Sequence, residues 1–171
     1  MIKMIALMDA SPLMYLAQIG ALKYMTKKKK KIITTQKVKD EVLSPPKQPD
    51  QIILTEAFNT WLTIEEPKNN SVLKQITQLN LHVGEASIIA LALEYKKDHK
   101  VMVIDDRAAR EVAINLNLQI TGTLGLLIRM VKEGLITKEK CLIKIKRLNL
   151  ETSFRMNVDL LYTVQDVIHD L

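Results

Sequence analysis

The chain has 171 residues, of which 47% are hydrophobic and 26% are charged, a composition typical of an ordinary globular protein. We expect a single domain over residues 1–171 and no membrane association, since no apolar run approaches the roughly 18 residues that a membrane span needs. The single Cys excludes a disulfide framework and favours a reducing, cytoplasmic location. The net charge of +6 favours an anionic partner, either nucleic acid or an acidic protein.

Apolar strands and amphipathic helices alternate along the chain. Short apolar segments predict strands at 4–8, 32–34, 101–104 and 118–121, with a further short strand within 61–65. Apolar spacing and capping residues predict helices from an N-cap at Ser11 to Gly20, from Gly84 onward, and at 35–43, 50–59, 69–79, 106–115, 123–133, 137–148 and 157–169. This alternation predicts an α/β fold with a parallel sheet covered on both faces.

Five consecutive lysines, Lys27 to Lys31, supply much of the positive charge. Two interpretations of this run stay open. It is either a solvated loop, or a loop in which Lys28, Lys29 and Lys30 contact the phosphates of nucleic acid.

Carboxylates directly follow the two most apolar strands. Asp9 comes after the strand at 4–8, and Asp105 and Asp106 come after the strand at 101–104. A carboxylate at the end of a buried strand lies at the rim of the sheet, where α/β proteins bind ligands. Carboxylates brought to one rim would repel each other unless a cation joins them. These acids therefore predict a cation-binding rim.

Two further acids are candidates for the same rim. Glu85 lies in the first turn of the helix that starts at Gly84, and Glu41 lies near the end of the helix at 35–43. Taken singly, each acid has an ordinary explanation as a helix cap, a first-turn acid or a solvated side chain. Taken together, they match the oxygen ligands of Mg²⁺ or Mn²⁺. The three His residues are not grouped with Cys, so the sequence does not favour zinc.

Four motifs, in this order, resemble a branch of the PIN-domain family. They are Asp9-Ala10-Ser11-Pro12-Leu13, Gly84-Glu85-Ala86, Val103-Ile104-Asp105-Asp106-Arg107 and Thr121-Gly122-Thr123-Leu124-Gly125. The tail at 134–171 is also similar, so the resemblance covers nearly the whole chain. It implies a PIN-like three-layer sandwich, in which a small, mostly parallel sheet lies between helices and the C-terminal helices at 137–171 pack on it.

The resemblance also implies an activity, a cofactor and partners. Members are usually Mg²⁺- or Mn²⁺-dependent ribonucleases, and many are toxins of toxin–antitoxin pairs. We therefore expect an RNA substrate, an antitoxin protein and a homodimer.

The resemblance also assigns site residues. Asp9, Glu41, Glu85 and Asp106 take the four catalytic positions, and Asp9 and Glu85 with the Asp105–Asp106 pair take the metal-binding positions. The alignment favours Asp106 over Asp105 but leaves both open, and the match at Glu41 is the weakest.

Two further questions stay open at this point. Arg107 and Arg110 share a helix face, and they either guide the RNA backbone or are simply solvated.

The second hypothesis for the whole chain is a non-catalytic PIN-like module that binds nucleic acid or protein. A phosphotransfer receiver is disfavoured because too few residues follow Asp105 to complete one.

Overall fold

The computed structural model describes residues 5–29, 31–44, 48–95 and 100–171, and it contains one five-stranded sheet. The strands are β1 (Ile5–Met8), β2 (Lys31–Thr34), β3 (Thr63–Ile64), β4 (Lys100–Val103) and β5 (Ile120–Thr121). They are all parallel and lie in the order β3-β2-β1-β4-β5. The predicted α/β fold with a small parallel sheet is therefore confirmed.

Helices connect the strands and cover the sheet. They are α1 (Ala10–Gln18), α2 (Gln36–Val42), α3 (Pro49–Thr60), α4 (Asn70–Thr77), α5 (Val83–Glu94), α6 (Arg107–Asn115), α7 (Thr123–Lys132), α8 (Lys138–Glu151) and α9 (Val158–His169). A 3-10 helix, Leu22–Lys29, precedes β2. Within the described ranges, none of these helices has the length and apolarity required to cross a membrane. The loop predicted for the lysine run is wrong as far as Lys29, because the backbone there is helical.

Capping residues explain where several helices begin. Thr35, Asn69, Asp106, Thr137 and Asn157 each accept a hydrogen bond from a backbone N–H in the first turn of the following helix, as capping side chains do.

The first helix begins differently. The predicted cap at Ser11 is wrong, because α1 begins at Ala10 and Asp9 occupies the cap position. The Asp9 side chain makes no capping hydrogen bond, so its carboxylate stays available for another role.

The two faces of the sheet pack against two separate hydrophobic clusters. Alternate side chains of β1 point to opposite faces, so Ala6 and Met8 belong to one cluster and Leu7 belongs to the other. The first cluster draws buried residues from α1, α2, α3, α7, α8 and α9, and the second draws them from α4, α5 and α6. The result is three layers, with helices on both sides of the sheet.

The strand order creates a crevice between β1 and β4. From the central β1 the chain moves outward to β2 and β3, and then returns to place β4 on the other side of β1. Ligands of open α/β sheets bind at the carboxyl ends of strands where the order reverses in this way. Met8 pairs with Val103, and the Asp9 N–H donates to the Val103 carbonyl at 3.1 Å. The acids that follow β1 and β4 are thus held side by side.

Candidate functional site

Asp9 directly follows β1, beside the end of β4, and carries a buried carboxylate. Its side chain is only 2% exposed, and Oδ1 has no hydrogen-bond partner among the described residues. Burial raises the pKa of Asp9 to about 7; the backbone hydrogen bond at Ala10 opposes this, and the charges of Glu85, Glu41 and Asp105 add to it. A buried carboxylate with an unpaired oxygen is costly, so this arrangement favours a cation.

Asp105 is held by the start of α7, which follows β5. Its Oδ1 accepts the Thr123 backbone N–H at 2.8 Å, and its Oδ2 accepts the Thr123 hydroxyl at 2.6 Å. Burial raises the pKa of Asp105, while the Thr123 hydrogen bonds and the Arg110 guanidinium lower it. A Cβ at Gly122 would lie 2.8 Å from Asp105 Oδ1, so only glycine leaves this carboxylate its space. Asp105 is therefore rigidly oriented beside Asp9.

Glu85 and Asp106 approach from the first turn of α5 and the cap of α6. Glu85 Oε2 accepts the His82 backbone N–H at 3.0 Å, and Asp106 Oδ1 accepts the Ala109 N–H at 2.9 Å. Burial raises the pKa of Glu85; the His82 backbone hydrogen bond opposes this, and the charges of Asp106 and Glu41 add to it. Of the two acids that follow β4, Asp105 contributes its charge to the raised pKa of Asp9, whereas Asp106 contributes its charge to the raised pKa of Glu85.

Glu41 reaches the site because α2 packs closely on α5. A Cβ at Gly84 would lie 2.7 Å from Glu41 Oε2, so the missing side chain makes room for this carboxylate. A buried hydrogen bond of 2.6 Å between the hydroxyls of Thr35 and Ser87 ties the two helices together. The structure therefore places Glu41 with the other acids, although its match to the family pattern was the weakest of the four.

Four of the five acids line a cleft of about 460 Å³, whereas the buried Asp9 is not among its lining residues. The side chains that line it are Ser11, Tyr15, Glu41, His82, Glu85, Asp105, Asp106, Phe154 and Arg155. The rings of Tyr15 and Phe154 meet edge to face, with centroids 5.2 Å apart.

Sequence reasoning missed Thr123, Tyr15, Phe154 and Arg155 as site residues. Thr123 stood in a motif used only for the family resemblance. The other three belong to no motif, and Phe154 and Arg155 lie in the connection between α8 and α9.

The predicted nucleic-acid contacts lie in different places. Arg110 is half-buried beside Asp105, and its Nη1 donates to the Ile104 carbonyl at 2.8 Å. The Arg107 side chain is 93% exposed and pairs with Glu111 at 3.1 Å. Lys30 and the side chains of Lys28 and Lys29 lie outside the described residues.

The donor set fits a hard divalent cation held partly by water. Within the described ranges, no three His, Cys, Asp or Glu side chains are close enough together to hold a metal ion. Mg²⁺ commonly keeps several waters and uses only one or two carboxylates with a substrate phosphate. Asp9 supplies an unpaired oxygen, Oδ1, and the neighbouring acids supply only oxygen atoms, as a Mg²⁺ site requires.

Comparison with known proteins assigns the chain to a family. A family model described as a PIN domain, DUF3368, matches residues 5–169, and no curated protein matches the chain. PIN domains are commonly nucleases, and those nucleases generally use divalent metal ions. The match covers nearly the whole chain, and the parallel sheet flanked by helices is consistent with it. The chain therefore belongs to the PIN-domain family and has its nuclease-like fold.

Proposed function

We propose that the protein is a metal-dependent endoribonuclease that hydrolyses RNA phosphodiester bonds. The observation that carries the proposal is the buried Asp9 carboxylate, whose Oδ1 is unpaired and whose neighbours are three other carboxylates. This arrangement raises the pKa of Asp9 to about 7. A structural role for so costly a group would require partners for both oxygens, which the described residues do not supply.

Asp9, together with one of Glu85, Asp105 and Asp106, would hold Mg²⁺ or Mn²⁺ directly, and the remaining acids would hold waters of the ion. Such an ion, when bound, lowers the pKa of a coordinated water and offsets negative charge on the scissile phosphate. Thr123 keeps Asp105 in one orientation through two hydrogen bonds, so that this carboxylate needs no rearrangement on binding.

Other residues of the cleft would handle the substrate. Glu41 lies at the cleft wall, where its carboxylate accepts no hydrogen bond from the described residues, which suits a group that accepts a proton from the attacking water. Arg155 at the rim would contact a phosphate oxygen of the RNA, and Arg110 supports the site by offsetting the charge of Asp105.

A toxin role within a toxin–antitoxin pair extends this proposal. An antitoxin segment would then cover the acidic cleft, with an arginine that pairs with the carboxylates. Homodimerisation belongs to the same proposal, and it rests on the family resemblance alone.

The alternative is a PIN-like module that binds nucleic acid or protein without cleaving it. One observation favours it: in the described part of the chain, no three donors stand close enough to form a metal-binding group. In that case the acids would be a remnant of the family's site.

Calorimetry with Mn²⁺ followed by incubation with a mixed RNA pool tests both functions. The variants are the double variant Asp9→Asn/Asp106→Asn and a matched control, Asp159→Asn/Asp166→Asn, which changes two exposed acids of α9. Metal binding and cleavage by the wild type and the control, both lost in the double variant, would support the nuclease. An absence of Mn²⁺ binding by the wild type, with RNA still retained, would instead support the binding module.

A further inference from the structure

Cations from two distant segments converge on one aromatic ring. The Nζ atoms of Lys23, Lys27 and Lys144 lie 5.5, 4.9 and 5.5 Å from the centroid of the Tyr24 ring. Lys23 and Lys27 belong to the 3-10 helix, whereas Lys144 belongs to α8. Burial, followed by the charges of Arg147, Lys23 and Lys140, holds the pKa of Lys144 below its usual range. The fold therefore concentrates positive charge here, as it concentrates negative charge around Asp9.

Helix capping explains only two of these cations. Lys144 Nζ and Arg147 Nη1 each donate to the Ile19 carbonyl at 3.0 Å, which satisfies the carboxyl end of α1. Lys23, Lys27 and Lys140 are exposed, and none of them forms an ion pair with a carboxylate of the described residues. Lys23 and Lys27 contact the Tyr24 ring, and no carboxylate of the described residues balances the charge of these three lysines.

The helix α8, which carries several of these cations, ends a few residues before the acidic cleft. Lys140, Lys144 and Arg147 are spaced by four and three residues, so they lie on one face of the helix. The chain after α8 reaches Arg155, which lines the cleft. Because α1 rises about 1.5 Å per residue, the Ile19 carbonyl that Lys144 contacts lies roughly 15 Å along the helix from Asp9. Neighbouring phosphates of one strand are closer together than this, so a strand that reached both sites would be several nucleotides long.

We propose that Lys23, Lys27, Lys140 and Lys144, which we call the basic track, bind the phosphate backbone of an RNA strand that extends from the acidic cleft. The substrate is then a strand of several nucleotides, of which only one phosphate lies at the acids. The choice of RNA as the anion rests on the proposed function. Binding to the track itself needs no cleavage.

The test is the binding of a labelled single-stranded RNA in EDTA, so that no strand is cut. The variant is Lys23→Gln/Lys27→Gln/Lys140→Gln, which leaves the capping residues Lys144 and Arg147 in place. The control is Lys74→Gln/Lys132→Gln/Lys146→Gln, with the same change in net charge at exposed sites; Lys146 lies on the opposite face of α8. Each lost phosphate contact makes the negative slope of log K against log salt shallower by about 0.7 for a single strand. We therefore expect the slope to become shallower by about 2 in the track variant and to stay unchanged in the control.

Two further measurements keep this test decisive. The variant Lys23→Arg/Lys27→Arg/Lys140→Arg retains the charges at the three substituted positions of the track, so it should bind RNA as the wild type does. A wild type that binds through the track but does not cleave with Mn²⁺ would refute the nuclease and leave the track standing. Equal affinities and slopes in the track and control variants would overturn the track as an RNA site.

Discussion

The substitution Asp9→Asn should stabilise the metal-free protein at alkaline pH, although it removes a residue of the proposed site. The folded protein holds a proton on Asp9 up to a pKa of about 7, whereas the unfolded chain loses it near 3.8. Between these values the folded state binds more protons than the unfolded state, so the free energy of unfolding falls as the pH rises. A difference of about three pKa units corresponds to roughly 4 kcal/mol.

The expected gain in the variant is smaller than that full value. The buried amide that replaces the carboxylate needs hydrogen-bond partners of its own, at a cost of about 1–3 kcal/mol. We therefore expect Asp9→Asn to be more stable than the wild type by roughly 1–3 kcal/mol at pH 8 in EDTA, and no more stable than it near pH 4. Glu85 and Asp105 also have raised pKa values, so a weaker fall in stability with pH should persist in the variant.

Urea denaturation, followed by the fluorescence of Trp61, measures this effect, because the chain contains a single Trp. The control Asp159→Asn changes an exposed acid of α9 and should follow the wild type at every pH. Addition of Mn²⁺ should stabilise the wild type and leave Asp9→Asn unchanged, since only the folded wild type would bind the ion. Identical pH dependence of the wild type and the variant would refute the assignment of the buried charge to Asp9.

Three other substitutions test the packing and the site. Ile104→Ala, at a fully buried position behind the acids, should cost about 2–5 kcal/mol in urea denaturation. Gly84→Ala should displace the Glu41 carboxylate, which lies 2.7 Å from the added carbon, and lower the cleavage rate more than the affinity for RNA. Thr123→Val removes the hydroxyl that donates to Asp105 at 2.6 Å, so the pKa of Asp105 should rise further and Mn²⁺ binding should require a higher pH.

Each of these substitutions has its own contrary result. Ile143→Ala, at an exposed position of α8, should leave stability nearly unchanged, and an equally small loss at Ile104 would mean that the buried face is misplaced. Unchanged turnover in Gly84→Ala would remove Glu41 from the reaction. A Thr123→Val protein with the metal affinity and pH profile of the wild type would show that the Asp105 carboxylate is not part of the site.

The sequence alone was sufficient to predict which strands end in acids. A buried strand is a short apolar run, and a carboxylate directly after it marks the rim of the sheet, so Asp9, Asp105 and Asp106 could be proposed as neighbours. Helix boundaries were also largely predictable because caps act within one turn. The cap at Ser11 was the exception, since a carboxylate that leaves its capping hydrogen bond unmade has no signature in the sequence.

Only the tertiary structure distinguished the two adjacent acids and assembled the rest of the cleft. Thr123, which follows β5, donates hydrogen bonds to Asp105 and holds its carboxylate beside Asp9. Phe154 and Arg155 reach the cleft because α8 and α9 pack on the same side of the sheet as α1.

The basic track shows the same division between local and tertiary information. The lysine run was visible in the sequence, but its proximity to Lys144 depends on packing between segments more than a hundred residues apart. The hydrogen bond from Lys144 to Ile19, for example, joins residues 125 positions apart. Periodicity and capping report only interactions within a few turns. Contacts between distant side chains depend on how whole helices pack, and no local pattern of residues encodes that.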